Sequence, residues 1–75
     1  MEVTEIKSLK TQVNGNHYKN MVIQPVEFIH KNKLGYIQGN VIKYICRYEE
    51  KNQIHDLNKI IHYVELLKEL EYGEE

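Results

Sequence analysis

Apolar residues recur every three to four positions in two stretches of the C-terminal half of the chain. From about residue 54 to residue 72 these positions are Leu57, Ile60, Ile61, Val64, Leu67 and Leu70. From Tyr36 or Gly39 to Glu50 the apolar stripe is formed by Val41, Tyr44, Ile45 and Tyr48. This spacing predicts two amphipathic helices. Because residues 51–53 are a short polar turn between them, we expect an antiparallel helix pair.

A shorter helix is predicted ahead of this pair. Pro25 suits a first helical position, and we expect a helix over residues 25–32 with Phe28 and Ile29 facing inward. Gly35 is expected to take the left-handed conformation that ends this helix.

The N-terminal part has a less regular pattern. Residues 1–16 form an arm for which a short helix, a strand and a tail that orders on a partner all stay open, and residues 21–23 are expected to be extended. Any strand is confined to this N-terminal segment. The predicted fold class is therefore mainly α, a small helical bundle built on an antiparallel helix pair plus a short helix, with residues 17–75 as one domain.

The small size of the chain predicts self-association. With 75 residues and one cysteine, it has a small core and no intramolecular disulfide, and no Cys/His spacing predicts a metal site. We therefore expect a homo-oligomer. Cys46 lies in an apolar helical pattern and is expected to be a buried, unreactive side chain.

Charge and hydropathy narrow the functional classes. A net charge of −1 argues against general nucleic-acid binding, although six Lys/Arg against three acids between residues 17 and 51 allow a local positive patch. No apolar run has membrane-spanning length and the first residues do not begin a signal peptide, so no membrane contact and a cytoplasmic location are expected.

A cationic stripe is the main candidate site. Asn40, Lys43, Arg47 and Lys51 follow one another at steps of 3, 4 and 4, which stacks them on one face of the second helix. Nearby tyrosines and backbone amides expected to be free at Gly39-Asn40 suit a phosphate with an aromatic group. The alternative is a solvated helix face.

The third helix carries a second group of candidate site residues. Asp56, Lys59 and Tyr63 lie at steps of 3 and 4 and could line the same pocket. Asp56 could instead pair with Lys59, or with Arg47 to tie the two helices together, and both interpretations stay open.

The remaining residues carry weaker signals. His17-Tyr18 lies in a loop and is a candidate ligand contact, with a structural loop histidine as the alternative, whereas His55 and His62 are expected at the surface. The sequence contains neither a P-loop motif nor an acidic cluster suited to Mg2+, and no catalytic residue is assigned. It therefore favours phosphate binding over phosphate chemistry, with no cofactor.

The ordered set of residues over about 16–70 resembles a small bacteriophage domain, the SaV-like domain. The resemblance is carried by His17-Tyr18-Lys19, residues 23–29, residues 39–44, Arg47-Tyr48, Lys51, Asp56-Leu57, Lys59 and Tyr63. The same pattern occurs in the longer early nucleotide kinase of bacteriophage T7, a deoxynucleoside monophosphate kinase without a Walker motif. The resemblance implies a phage origin, the cytoplasm of an infected bacterium, a nucleotide-like ligand and a multimer.

Three functions follow as hypotheses. The first is an oligomeric binder that sequesters a host nucleotide, for example a cyclic nucleotide made in antiphage defence, in a pocket expected between subunits. The second is a nucleoside monophosphate kinase, which would use ATP and Mg2+, with Asp56 orienting a nucleophile or a metal-bound water. The third is an adaptor that binds a host protein through apolar helix faces.

Overall fold

Three helices form the described part of the molecule. The computed structural model describes residues 7–10 and 18–73. It contains a 3-10 helix at Lys7–Lys10, then helices α1 at Pro25–Lys31, α2 at Tyr36–Arg47 and α3 at Ile54–Tyr72, with no strand among these residues. Helix α2 packs along α3, and α1 packs against α2. The predicted helical bundle is confirmed, while the predictions for residues 1–6, 11–16 and His17 lie outside the described residues.

Helix α1 begins as predicted but ends differently. Gln24 is extended (φ −76°, ψ 147°) and Pro25 opens the helix. The left-handed residue after its end is Lys33 (φ 57°), whose N–H donates to the carbonyl of His30. The prediction for Gly35 is wrong. The left-handed turn is made at Lys33, two residues before Gly35. Gly35 is therefore extended (φ −79°) and directly precedes α2.

Gly39 lies inside α2 and allows α1 to approach closely. A Cβ atom at this position would lie 3.1 Å from Ile29 Cγ2. The predicted free amides at residues 39 and 40 are wrong. Because α2 begins at Tyr36, the N–H of Gly39 already donates to the carbonyl of Gly35 at 2.9 Å.

The connection between the paired helices is longer than predicted, whereas α3 has the predicted bounds. Helix α2 ends at Arg47, and residues 48–53 form the turn, in which Gln53 has a positive φ of 46°. Gly73 ends α3 in the left-handed conformation (φ 69°).

The interior of the described molecule is not apolar. None of the described large hydrophobic side chains is buried, and the fully buried side chain is that of Asp56. Phe28, predicted to face inward, is 45% exposed, and Cys46, predicted to be buried, is exposed. Both predictions are wrong because a single helix pair crossed by a two-turn helix has no further layer to cover these positions.

Several exposed apolar residues of α2 and α3 lie on one side of the helix pair. Tyr48 adjoins Ile54 and Leu57 around one shallow cavity, which brings the apolar stripes of both helices together. We call this side the apolar face, defined by Ile45, Tyr48, Ile54, Ile61 and Val64. None of the described helices combines the length and the apolar character needed to cross a bilayer.

Candidate functional site

An ion pair joins the end of α2 to the beginning of α3. Arg47 Nε donates to Asp56 Oδ2 at 3.1 Å, and Arg47 Nη2 donates to Asp56 Oδ1 at 3.3 Å. Asn52 Nδ2 lies 3.5 Å from the same Oδ1. The Asp56 side chain is 0% exposed. Of the alternatives left open for Asp56, the bridge to Arg47 is therefore confirmed.

The ion pair controls the charge of its members. Burial tends to raise the pKa of Asp56, but the hydrogen bonds and positive charge of Arg47, together with Asn52 and Lys59, outweigh it and hold the pKa below its ordinary value. The hydrogen bond to Asp56 raises the pKa of Arg47 further. Burial raises the pKa of Tyr18, against the opposing effect of Arg47. Both members of the pair are therefore charged at neutral pH.

Three cationic groups surround the ring of Tyr44. Lys43 Nζ lies 5.0 Å, Arg47 Cζ 4.8 Å and Lys59 Nζ 5.1 Å from the ring centroid. Two of them come from α2 and one from α3, so the packing of these helices creates the group. Each lies within the distance of about 6 Å at which a cation is attracted to an aromatic ring.

Two of these cations form no salt bridge with a carboxylate of the described residues. Arg47 is paired with Asp56, whereas neither Lys43 nor Lys59 forms a salt bridge within the described ranges 7–10 and 18–73. Because all three groups lie near one ring centre, they are separated by no more than about one Debye length, so their repulsion is incompletely screened. An anion placed among them would relieve this repulsion.

Tyrosine rings extend the site along α3. The rings of Tyr44 and Tyr63 are stacked with centroids 6.1 Å apart, and Tyr36 meets Tyr63 edge to face at 6.3 Å. Hydrogen bonding with Tyr36 raises the pKa of Tyr63. A cavity of about 470 Å³ adjoins these rings and is lined by Tyr44, Asn58, Lys59, His62, Tyr63 and Leu66. We call Lys43, Tyr44, Arg47, Lys59 and Tyr63 the Tyr44 cluster.

A second cavity lies on the other side of Lys43, against α1. It has a volume of about 420 Å³, and we call it the α1 cleft. Tyr18 and Lys43 line it from one side, and the hydroxyl of Tyr18 donates to the Lys43 carbonyl at 3.4 Å. The side chain of Gln24, which also lines the cleft, donates to the Leu9 carbonyl of the 3-10 helix. Lys43 therefore belongs to both the cleft and the Tyr44 cluster.

The structure brings together most of the predicted site residues. Tyr18 and Lys43 line the α1 cleft, and Lys59 and Tyr63 line the cavity beside Tyr44. Arg47 lies beside the Tyr44 ring and is paired with the buried Asp56. Asn40 instead donates its side-chain amide to the Tyr36 carbonyl of its own helix at 2.8 Å. Lys51, predicted on the same face of the second helix, is exposed in the turn instead, and this prediction is wrong because α2 ends at Arg47. His17 lies outside the described residues.

Some lining residues escaped the sequence prediction. Asn58, His62 and Leu66 line the cavity beside Tyr44, and His62 was expected only as a surface residue. The helical spacing of three and four residues from Lys59 to His62 and Tyr63 was the signal that could have found it. Among residues 7–10 and 18–73, no group of three or more His, Cys, Asp and Glu side chains could hold a metal ion.

Comparison with known proteins identifies the family. Residues 12–65 match the family described as "Protein of unknown function (DUF3310)", a match over more than half of the chain. Neither the curated proteins nor the solved structures contain a significant match. The matched segment includes α1, α2 and residues 54–65 of α3, and with them every residue of the Tyr44 cluster. The chain therefore belongs to the DUF3310 family.

Proposed function

We propose that this protein binds a phosphate-bearing, nucleotide-like ligand at the Tyr44 cluster. The observation that carries the proposal is the convergence of Lys43, Arg47 and Lys59 within about 5 Å of the Tyr44 ring centroid. A solvated helix face would let long cationic side chains spread away from one another, because like charges repel. Here all three groups lie close to one ring, although the two lysines belong to different helices.

A phosphate fits this arrangement because of its charge and its acceptor oxygens. Two lysines offer mobile ammonium donors, and Arg47 is held in one orientation by Asp56. Hydrogen bonds between cationic donors and phosphate oxygens are roughly twice as strong as neutral ones. The rings of Tyr44 and Tyr63 beside these cations offer aromatic surface to the part of the ligand next to the phosphate, such as a sugar.

Binding without chemistry agrees best with the state of Asp56. A kinase would need a carboxylate to orient a nucleophile or a metal-bound water. Both oxygens of Asp56 accept hydrogen bonds from Arg47, and the side chain is 0% exposed. We therefore favour sequestration of a nucleotide, including a cyclic nucleotide signal of a bacterial host infected by phage, over a nucleoside monophosphate kinase.

We also propose that the protein acts as a homo-oligomer through its apolar face. The described residues bury no large hydrophobic side chain, and a chain of 75 residues with one cysteine has no disulfide to compensate. A second copy placed on Ile61 and its neighbours would supply the missing apolar interior. An adaptor that binds a host protein would use the same face, and a monomeric protein with this face free would favour it.

Titration calorimetry tests the binding proposal. The purified protein is titrated with nucleoside mono- and triphosphates and with cyclic mono- and oligonucleotides, with and without Mg2+. We expect Lys43→Ala or Lys59→Ala to weaken binding by about tenfold, equivalent to about 1.4 kcal/mol. Lys68→Ala is the matched control, because it removes an exposed lysine of α3 that lines neither cavity.

The fate of the ligand separates the two functions. Recovery of the nucleotide unchanged after denaturation supports sequestration. Transfer of a labelled phosphate from ATP to a deoxynucleoside monophosphate, lost in a folded Arg47 variant, would establish the kinase instead. Absence of binding to every phosphate compound would contradict the proposed function, and the three cations would then be a solvated face.

A further inference from the structure

We propose that the α1 cleft holds the apolar or aromatic body of an organic phosphate ester whose phosphate group lies at Lys43. This inference rests on the proposed function and extends it, because it assigns the organic part of the ligand to the α1 cleft and the phosphate to Lys43 of the Tyr44 cluster. The evidence is the position of Lys43, which lines the cleft and also stands 5.0 Å from the Tyr44 centroid. A ligand bound at this lysine can therefore reach both sides.

The size and lining of the cleft match a small organic group. Its volume of about 420 Å³ lies within the range of about 300–1,000 Å³ that is typical of small-molecule sites. Pro25, Val26, Ile29 and Leu34 form an apolar wall. An inorganic phosphate would leave this wall in contact with water, whereas an apolar or aromatic body would cover it.

The charges at the cleft favour an anionic ligand. Besides Lys43, the cleft is lined by Lys33, which follows α1, and by His30. Neither Lys33 nor Lys43 forms a salt bridge with a carboxylate in the part of the chain that the structure describes. An apolar wall flanked by unpaired lysines is complementary to an amphipathic anion rather than to a neutral molecule.

The backbone at Lys33 supports a functional role for its side chain. With φ at 57°, Lys33 occupies the left-handed position of a helix end, where Leu34 N–H donates to the Ile29 carbonyl at 3.1 Å. Glycine is the usual residue in this conformation, because a side chain makes it unfavourable. Gly35 stands only two positions away but is extended. A lysine at a position that glycine would occupy with less strain agrees with a role for its cation in the cleft.

The experiment compares two phosphate monoesters that differ in the organic group attached to the phosphate. Methyl phosphate carries the phosphate alone, whereas a nucleoside monophosphate adds a large planar group. We expect the nucleoside monophosphate to bind at least about tenfold more tightly to the unaltered protein. The Val26→Trp substitution places a large ring at the exposed rim of the cleft, and it should abolish this preference without changing the affinity for methyl phosphate.

Two further variants separate this inference from the proposed function. Asn58→Trp places the same ring at the exposed rim of the cavity beside Tyr44, and it should leave the preference intact. Lys33→Gly should weaken nucleoside monophosphate binding while leaving the midpoint of thermal unfolding unchanged or higher, since glycine relieves the backbone.

Each alternative outcome has a distinct meaning. Loss of the preference in Asn58→Trp but not in Val26→Trp would overturn the assignment of the cleft and leave phosphate binding intact. Equal affinities for the two esters in the unaltered protein would also overturn the assignment of the cleft and leave phosphate binding intact. Absence of binding by both esters would overturn this inference together with the proposed function.

Discussion

Arg47 Nε lies 3.1 Å from Asp56 Oδ2 and ties the last residue of α2 to the first turn of α3. The described molecule is thus centred on an ion pair rather than on apolar side chains, since Asp56 is fully buried and no large hydrophobic side chain is. The pair also sets the direction of the Arg47 guanidinium beside Tyr44. Stability and the candidate site therefore depend on the same contact.

Removing one member of the ion pair should be strongly destabilising. We expect Asp56→Ala to lower the free energy of unfolding by about 3–5 kcal/mol, because it leaves the largely buried Arg47 without its partner. The double variant Arg47→Met with Asp56→Leu should recover much of this loss, since apolar groups of similar volume need no counter-charge. Denaturant unfolding followed by circular dichroism measures both. A loss below about 1 kcal/mol in Asp56→Ala would contradict a buried pair.

Acid should weaken the protein through Asp56. Its folded pKa lies below the ordinary Asp value of about 3.9, so the unfolded chain takes up the proton first as the pH falls. The stabilisation is complete above about pH 5 and is lost as the pH falls through 3.9 towards the folded pKa. Urea unfolding between pH 3 and 6 measures it. Asp56→Asn should show a smaller loss over this range, and an equal loss would assign the effect to other carboxylates.

Glycine should stabilise position 33. We expect Lys33→Gly to raise the free energy of unfolding by about 0.5–1 kcal/mol, because the left-handed conformation costs a side-chain-bearing residue more than glycine. The matched control is Lys68→Gly in the exposed interior of α3, which should lower it by about 1 kcal/mol. Both variants replace a lysine with glycine, but the free energy of unfolding should rise in the first and fall in the second. A decrease in both would show that Lys33 stabilises the fold through its side chain.

Gly39 should tolerate alanine but not a large side chain. Its Cβ would lie 3.1 Å from Ile29 Cγ2, so a small shift of Ile29 can accommodate alanine. The gain in helix propensity of about 1 kcal/mol offsets that shift, and Gly39→Ala should be nearly neutral. Gly39→Leu should cost about 1–3 kcal/mol by forcing α1 away from α2. Thermal unfolding measures these changes, and the second substitution Ile29→Ala should restore part of the loss.

A charge on the apolar face should dissociate the proposed oligomer. Ile61 is 56% exposed in the isolated chain, so the Ile61→Glu side chain would remain hydrated in a monomer but be buried against a second copy. We expect sedimentation velocity to show an oligomer for the unaltered protein and a smaller species for Ile61→Glu. His62→Glu is the control, because His62 lines the cavity on the other side of α3. A monomeric unaltered protein would contradict the proposal.

The helices themselves could be predicted from the chain. The bounds of α3 follow from a regular apolar period ended by Gly73, and α1 begins at Pro25 because proline suits a first helical position. The cations of α2 could be placed on one helix face by counting residues. These features depend on local backbone preferences and on helical periodicity, both of which are written in short stretches of sequence.

Tertiary structure decided which of these residues meet. The choice between an Asp56–Lys59 pair and an Asp56–Arg47 bridge depended on how α3 turns against α2, which no local pattern contains. The same packing brings Lys59 to Tyr44, and the approach of α1 to Gly39 forms the cleft beside Lys43. The exposure of Phe28 and Cys46 was likewise unpredictable, because an apolar residue is buried only where another element covers it.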